Sequence, residues 1–439
     1  VVVTPDQQLI DALTALWRIP RPGPDKLLSA PAFVALSELC DQRYGRGKAT
    51  FALSSALRSL GMPCGLPRDQ SGLALDVPTA AATLDAAYTR VMTVRRYICP
   101  LDLADDLPQM TFGGVRVGRF SAEELERFFD APRLARNFPA QPLESNRLSN
   151  FHWLVVEEAV EVDPRPEARG TPFLFVDMRR DYGEIEPHLG RFPPAVEGAL
   201  FFLLLARWEE WSTMQEVDWR GFRVPWIYTL DEDLFIRPAR PPSPDSLTLE
   251  PWMVQNHWGE EIEMERPSTL PLDDRAKTEL QLFTDSSWTE LQAARATPLF
   301  ETPIVHFLVR AFLADGIDEV MAHMTAIEAA LGLESDHRRQ LRPKPDPHPR
   351  TSPTERVAAR IGAALTDAKA VQDYKGLFEL RSAFVHGRSG LQPISTPQRI
   401  LARNLARRAA GALVVLAAQP GRLRAAVLAD LLDQGIVYL

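Results

Sequence analysis

The stretch Tyr374–Gly387, YKGLFELRSAFVHG, holds the two side chains of this 439-residue chain best suited to chemistry, Arg381 and His386. Histidine takes and gives protons near neutral pH. Arginine keeps its charge throughout and presents a planar fork that matches two phosphate oxygens. Cleaving an RNA phosphodiester without a metal needs these functions. A base must take the 2′-hydroxyl proton, an acid must protonate the leaving 5′-oxygen, and positive charge must rest on the phosphorane. Gly387, Gly390 and Pro393 place a helix end just after His386. A helix C-terminus favours imidazolium, which suits the acid role. Five residues on an ideal helix turn through about 140°, so one helix does not bring both side chains to a point. A site formed between two helices, or between two copies of the chain, would. The plainer alternative is a structural pair that caps carbonyls and bonds to Glu328.

Around this pair, Ser382 adds a hydroxyl and Arg388 could hold a phosphate. Arg403, Arg407 and Arg408 fall at i, i+4 and i+5 on the next long helix, where they form either an RNA-binding face or a solvated surface. Other groups are weaker candidates. Asp102, Asp105 and Asp106 suit a solvated loop better than a metal site. His306 and His323 sit on apolar helices and suit a core. His337 and His348 flank an Arg/Pro loop with nothing to pair them as metal ligands. Trp208, Trp211, Trp219 and Trp226 fit core packing better than a ligand-stacking surface. There is no P-loop, no G-x-G-x-x-G and no H-E-x-x-H. No cofactor or metal is called for.

Net charge is −9, which alone argues against a nucleic-acid partner, but its distribution says otherwise. Residues 336–425 carry 17 Lys+Arg against 6 Asp+Glu, a net of +11, and the remainder carries −20. A basic segment inside an acidic chain points to a polyanion or to an acidic partner domain. The three cysteines, Cys40, Cys64 and Cys99, are widely spaced and include no C-x-x-C, as expected of a reduced cytoplasm. The longest apolar runs, Ala199–Ala206 and Ala412–Ala418, fall far short of the roughly 20 residues that span a bilayer. The first residues, VVVTPDQQLIDAL, carry no secretory signature.

The elements that must position these residues follow from periodicity. Residues 6–18 place Leu9, Ile10, Leu13, Leu16 and Trp17 on one helical stripe. Helices are expected near 31–41 and 50–60, and from Pro78 to Arg96. Met110–Phe120 alternates around a Gly-Gly turn and predicts a hairpin. Ser121 with Glu124 is a capping box. Phe151–Val162 and Pro172–Met178 predict strands, Pro194–Thr213 a helix, and 221–237 and 257–265 extended chain. Beyond the proline-bearing stretch 266–300 the pattern is helical: 302–316, 317–333, 354–368, 371–386, 397–418 and 421–434. The expected class is α+β, a mixed α/β N-terminal region followed by an all-α bundle. Three segments are expected: a helical region over 1–98, a mixed α/β region over 99–270 that would serve as a sensor or regulatory domain, and a helical domain over 300–439.

The string RSAFVHG in this setting resembles the HEPN domains, whose signature is R-x4-6-H on a helical core, with a polar residue after the Arg and a Gly after the His. The variant is most similar to the Apea-like HEPN group of bacterial proteins. Ala326–Leu331 (AIEAAL) and Glu355-Arg356…Arg360-Ile361 add to the likeness, which covers a little over a quarter of the chain. The resemblance implies a helical bundle that often forms homodimers or higher oligomers. Many members are metal-independent endoribonucleases with the Arg/His pairs of two protomers facing each other. Others bind nucleotides or have lost catalysis. Such proteins recur in toxin–antitoxin, abortive-infection and other anti-phage systems. One toxin class carries a Tyr two residues after the His, where a nucleotidyltransferase modifies it; Arg388 stands there in this chain. The resemblance thus implies Arg381, His386 and Ser382 as catalytic residues and Glu328 as their support. It further implies RNA as the substrate and an antitoxin or trigger ligand as a further partner; no membrane is expected. A nucleotide-binding or adaptor protein and a housekeeping RNA-processing factor are the alternatives.

Overall fold

The structure is a computed structural model that describes residues 7–20, 27–181, 183–186, 190, 192–208, 220–269, 272, 274–387, 393–419 and 421–439. In chain order it has helices α1 (Gln7–Trp17), α2 (Pro31–Tyr44), α3 (Thr50–Ser59) and α4 (Val77–Thr89), then strands β1 (Met92–Leu101), β2 (Met110–Phe112) and β3 (Val115–Arg119). Next come α5 (Ala122–Phe128), α6 (Ala131–Asn137), α7 (Ser145–Leu148), β4 (His152–Glu161), α8 (Pro166–Gly170), α9 (Pro194–Leu203), β5 (Tyr228–Asp231), β6 (Leu249–Gln255) and β7 (Glu261–Pro267). The rest is helical: α10 (Asp274–Leu280), α11 (Asp285–Arg295), α12 (Ile304–Leu313), α13 (Gly316–Leu331), α14 (Glu334–His337), α15 (Pro353–Leu365), α16 (Ala368–Val385), α17 (Thr396–Ala417) and α18 (Arg424–Gly435). The class is α+β. Among the described residues no helix is long and apolar enough to cross a membrane.

Two compact units are present, and each draws on separate stretches of chain rather than on consecutive segments. Unit 1 comprises Val1–Pro100, Arg119–Glu184 and Pro225–Pro267; unit 2 comprises Leu101–Gly118, Ile185–Val224 and Ser268–Leu439. In unit 1 the expected stripe of α1 buries Leu9, Leu13 and Leu16 against Phe33, Leu36, Leu53, Leu57, Leu84 and Tyr88 of α2, α3 and α4. Helix α4 starts where Asp76 accepts from the Thr79 N–H at 2.9 Å, with Pro78 in the first turn. It stops at Thr89, short of the expected Arg96. From Met92 the chain is strand β1, bedded in a sheet in the order β4-β1-β5. Strand β1 runs antiparallel to β5 from Arg95↔Asp231 to Ile98↔Tyr228. A second cluster around Trp153, Phe129, Tyr228 and Ile98 fills one side of this sheet. Pro172–Met178 is a correction: Pro172–Phe175 is a 3₁₀ turn, and among the described residues no strand pairs with it. Phe173 and Met178 are exposed there, so the apolar residues that suggested a strand face outward. The extended chain expected at 257–265 is β7, paired with β6.

In unit 2 the expected hairpin is β2–β3, paired from Met110↔Val117 to Phe112↔Val115. Gly113 turns it with φ 52°, and a Cβ there would lie 2.5 Å from the Trp288 indole nitrogen. Only glycine suits that turn and that approach. The helices expected beyond residue 300 are all present as α12, α13, α15, α16, α17 and α18, with α13 packed on α12 and α17, and α15 on α16 and α18.

Arginines hold this bundle from inside. Arg360 is 1 % exposed and reaches Asp336 through Nη1 at 2.5 Å and Nη2 at 2.9 Å, the Leu428 carbonyl at 2.9 Å and the Leu331 carbonyl at 2.9 Å. Arg424 donates to the carbonyls of Ala329, Ala330 and Gly332 at the end of α13, satisfying acceptors that a helix end leaves open. Glu319 is fully buried and takes the guanidiniums of Arg399 and Arg403.

Beside them His323 is buried, and its Nδ1 lies 2.8 Å from the Glu319 carbonyl oxygen. Burial pulls its pKa from 6.5 down to about 4, with Glu319 opposing the shift and Arg403 and Arg220 adding to it. A histidine depressed on folding binds more protons when unfolded. Its contribution is therefore present above pH 6.5 and is lost as the pH falls towards 4. We expect unit 2 to lose stability on the order of 3 kcal/mol over that window, at roughly 1.4 kcal/mol per pK unit. Denaturant melts of wild type and His323→Gln between pH 7 and pH 4 test this. A wild type no more acid-sensitive than the variant would contradict it.

Candidate active site

Helix α16 starts at Asp367, whose carboxylate accepts from the N–H groups of Lys369 (2.9 Å) and Ala370 (3.3 Å). Ala370, Val371, Tyr374 and Leu377 are buried along it. It closes at His386, which sits at the C-cap and donates its N–H to the Ser382 carbonyl at 3.0 Å. Gly387 takes φ 60°, and the helix stops there as its sequence predicts. His386 is exposed, and Ser382 is partly buried.

Arg381 is half-buried, with Nη1 3.2 Å from Oε1 of Glu328 on α13. It lines a cavity of about 400 Å³ together with Glu328, Tyr374, Phe378, His337 and Thr354. Burial raises the Glu328 pKa, while Arg381 and then His337 pull it back down. Burial first, and Glu328 second, raise the Tyr374 pKa, so its phenol stays a neutral hydrogen-bond donor. The cavity thus offers a fixed cation, a carboxylate eased towards its protonated form, and a hydroxyl. His386 is not on its wall. The two signature residues therefore look into different surroundings from one helix, as the 140° spread requires.

Tyr374 and Phe378 were not singled out from sequence, although the signal is there. Positions i−7 and i−3 from Arg381 lie on its own helix face, the former within about 20°. His337, read only as a residue flanking a loop, joins them through α14.

The basic residues of 336–425 divide between the interior and the surface: Arg338, Arg339, Lys344, Arg350 and Lys369 are exposed. Arg356, Arg360, Arg403 and Arg424 are all buried. Arg403 is bound to Glu319, Arg408 reaches Asp367 at 2.8 Å, and Arg407 is partly buried with an interaction of its own. Arg388, proposed for phosphate binding, lies outside the described residues, as do Gly390, Trp211 and Trp219. Trp208 packs edge-on against Phe222, and Trp226 packs on Trp153.

Asp102 is buried, and its backbone bridges to Arg223; Asp106 meets Lys277 at 2.8 Å. Among the described residues no group of three His, Cys, Asp or Glu side chains is arranged to hold a metal ion. His306 is more than a packed core residue, since its Nδ1 lies 3.0 Å from Oε1 of the buried Glu197. His348 meets Asp433 at 2.6 Å.

No protein-family model matches the chain, and neither a curated protein nor a solved structure matches it.

Proposed function

We propose that the chain is a metal-independent endoribonuclease of the HEPN type, acting as a toxin or effector in bacterial anti-phage defence. The observation that carries this reading is the RSAFVHG string at the exposed end of a bundle helix, with His386 open to solvent and Arg381 held by an acid of a neighbouring helix. The 2′-oxygen of RNA attacks phosphorus, its proton passes to a base, and the 5′-oxygen leaves with a proton from an acid. The products are a 2′,3′-cyclic phosphate end and a 5′-hydroxyl. His386 moves protons, Arg381 neutralises the phosphorane, and Ser382 adds a hydroxyl beside them. A second copy of the chain brings its own pair to the reacting phosphate, because one helix spreads Arg381 and His386 too far apart.

A second reading, nucleotide or RNA binding without cleavage, is favoured by the cavity, which holds Arg381 next to Glu328 and leaves His386 outside. Expression in a bacterial host separates the two. We expect wild type to arrest growth and degrade host RNA, and His386→Ala at the same protein level to be tolerated. Equal toxicity of both would contradict the catalytic role.

A further inference from the structure

Unit 1 contains a cavity of about 310 Å³ that the ribonuclease reading does not use. Six separate stretches build it: the end of α3, Leu75 ahead of α4, the C-terminal part of α4 with Arg90, strand β1, the corner from α5 to α6, and the residues just after β5. Five arginines line it, Arg90, Arg96, Arg127, Arg133 and Arg136, against two carboxylates, Asp130 and Glu232. Like charges gathered in a partly desolvated hollow are costly unless counter-charge reaches them.

Two of the five are accounted for. Arg133 is 5 % exposed and donates to the carbonyls of Asp231 and Asp233, each at 2.7 Å, and to that of Ile236. It is scaffold for the end of β5. Arg96 meets Glu157 at 2.8 Å and Glu232 at 3.1 Å.

Among the described residues the other three have hydrogen bonds, or nothing, in place of ion pairs. Arg90 donates to the Glu232 carbonyl at 3.2 Å and the Thr93 hydroxyl at 3.4 Å. Arg136 donates to the carbonyls of Leu73 at 2.8 Å and Ser59 at 3.2 Å. Arg127 is exposed at the rim and makes no side-chain hydrogen bond or ion pair among the described residues. Asp130 spends one carboxylate oxygen on the Arg133 N–H as the cap of α6. Burial lowers the pKa of both Arg133 and Arg136, with Asp130 opposing. The floor adds one more donor. The Ser59 hydroxyl is 1 % exposed and accepts from Arg133 at 3.4 Å and Asn137 at 3.2 Å, which leaves its proton to give.

We propose that this cavity binds a small phosphorylated molecule, a free diphosphate or the phosphate groups of a nucleotide. Guanidinium forks match phosphate oxygens in pairs. The volume is at the lower end of ligand cavities, which suits a compact polyanion. An RNA strand would need basic groups running along an open groove, whereas these arginines converge on one hollow. The assignment stands on unit 1 alone and does not depend on the ribonuclease reading.

The test is calorimetric titration and thermal melting of the full chain with inorganic pyrophosphate, ADP and a single-stranded oligoribonucleotide, each at low salt. Pyrophosphate, ADP or both should bind and raise the melting temperature in proportion to ligand. Arg127→Ala should weaken that binding about ten- to a hundredfold, as loss of a charged hydrogen bond does. The melting temperature of the free protein should not change, because Arg127 holds nothing in the fold. Arg147→Ala, which removes surface ion pairs to Glu144 and Asp245 in the same unit, should bind as wild type does. Three results would overturn the proposal: no heat and no melting shift at millimolar pyrophosphate and ADP; binding that survives Arg127→Ala; or an oligoribonucleotide that binds more tightly than either ligand and is lost with Arg127→Ala.

Discussion

Replacing Asp336 with alanine should destabilise unit 2 by about 3–5 kcal/mol, the cost of stranding a buried charge. Both partners of the Arg360–Asp336 pair are 1 % exposed. Asp336 answers two guanidinium nitrogens and also accepts the Leu333 N–H at 2.9 Å. Its removal leaves Arg360 charged, with only the Leu331 and Leu428 carbonyls as partners. Those bonds join α15 to the end of α13 and to α18, so the loss spreads through the bundle. Removing both charges is different. Asp336→Leu with Arg360→Met should recover most of the loss, because the penalty lies in the unpaired charge rather than in the missing pair. Denaturant titrations of wild type and the two variants measure it. A loss below about 1 kcal/mol for Asp336→Ala would contradict the structural role given to this pair.

On the proposed chemistry, Arg381→Ala should lower RNA cleavage about 10²-fold or more, since an unanswered transition-state charge costs a few kcal/mol. Arg381→Lys should recover part of it at most. An ammonium keeps the charge but cannot span two phosphate oxygens, nor match the geometry in which Glu328 holds the fork. Melting curves must accompany the rates. Arg381 is half-buried against Glu328, and a variant that simply unfolds would mimic a catalytic loss. Full activity in Arg381→Lys would show that position and charge suffice and that the fork plays no part.

Helices α12, α13 and α15 to α18 were legible because their apolar residues recur at helical spacing over ten or more residues, whereas α9 ends at Leu203, short of the expected Thr213. Ser352 with Glu355 and Ser395 with Gln398 form capping boxes, and these open α15 and α17. The end of α4 was not legible. Residues 92–101, MTVRRYICPL, carry apolar residues at spacings that continue a helix, and what settles them as strand is pairing with residues 228–231, far along the chain. Which arginines of the basic segment are buried was not legible, for a related reason. Counting charge cannot tell an arginine that faces solvent from one that, like Arg360 or Arg424, is buried and bonded. The position of Arg381 and His386 at a helix end was read from Gly387 and the residues around it. The cavity beside Arg381 was only half visible, since Tyr374 and Phe378 lie on its own helix while Glu328 and His337 come from α13 and α14. The arginine hollow of unit 1 left no local trace at all, because Arg90, Arg127 and Arg136 belong to different elements that meet only in the fold.

The central claim is tested most directly by incubating wild-type protein and His386→Ala with total RNA in EDTA and analysing the new ends. Cleavage by wild type should proceed in chelator and leave 2′,3′-cyclic phosphate or 3′-phosphate ends, with His386→Ala slower by about 10²-fold or more. Cleavage that requires Mg²⁺, or that His386→Ala performs as fast as wild type, would contradict it.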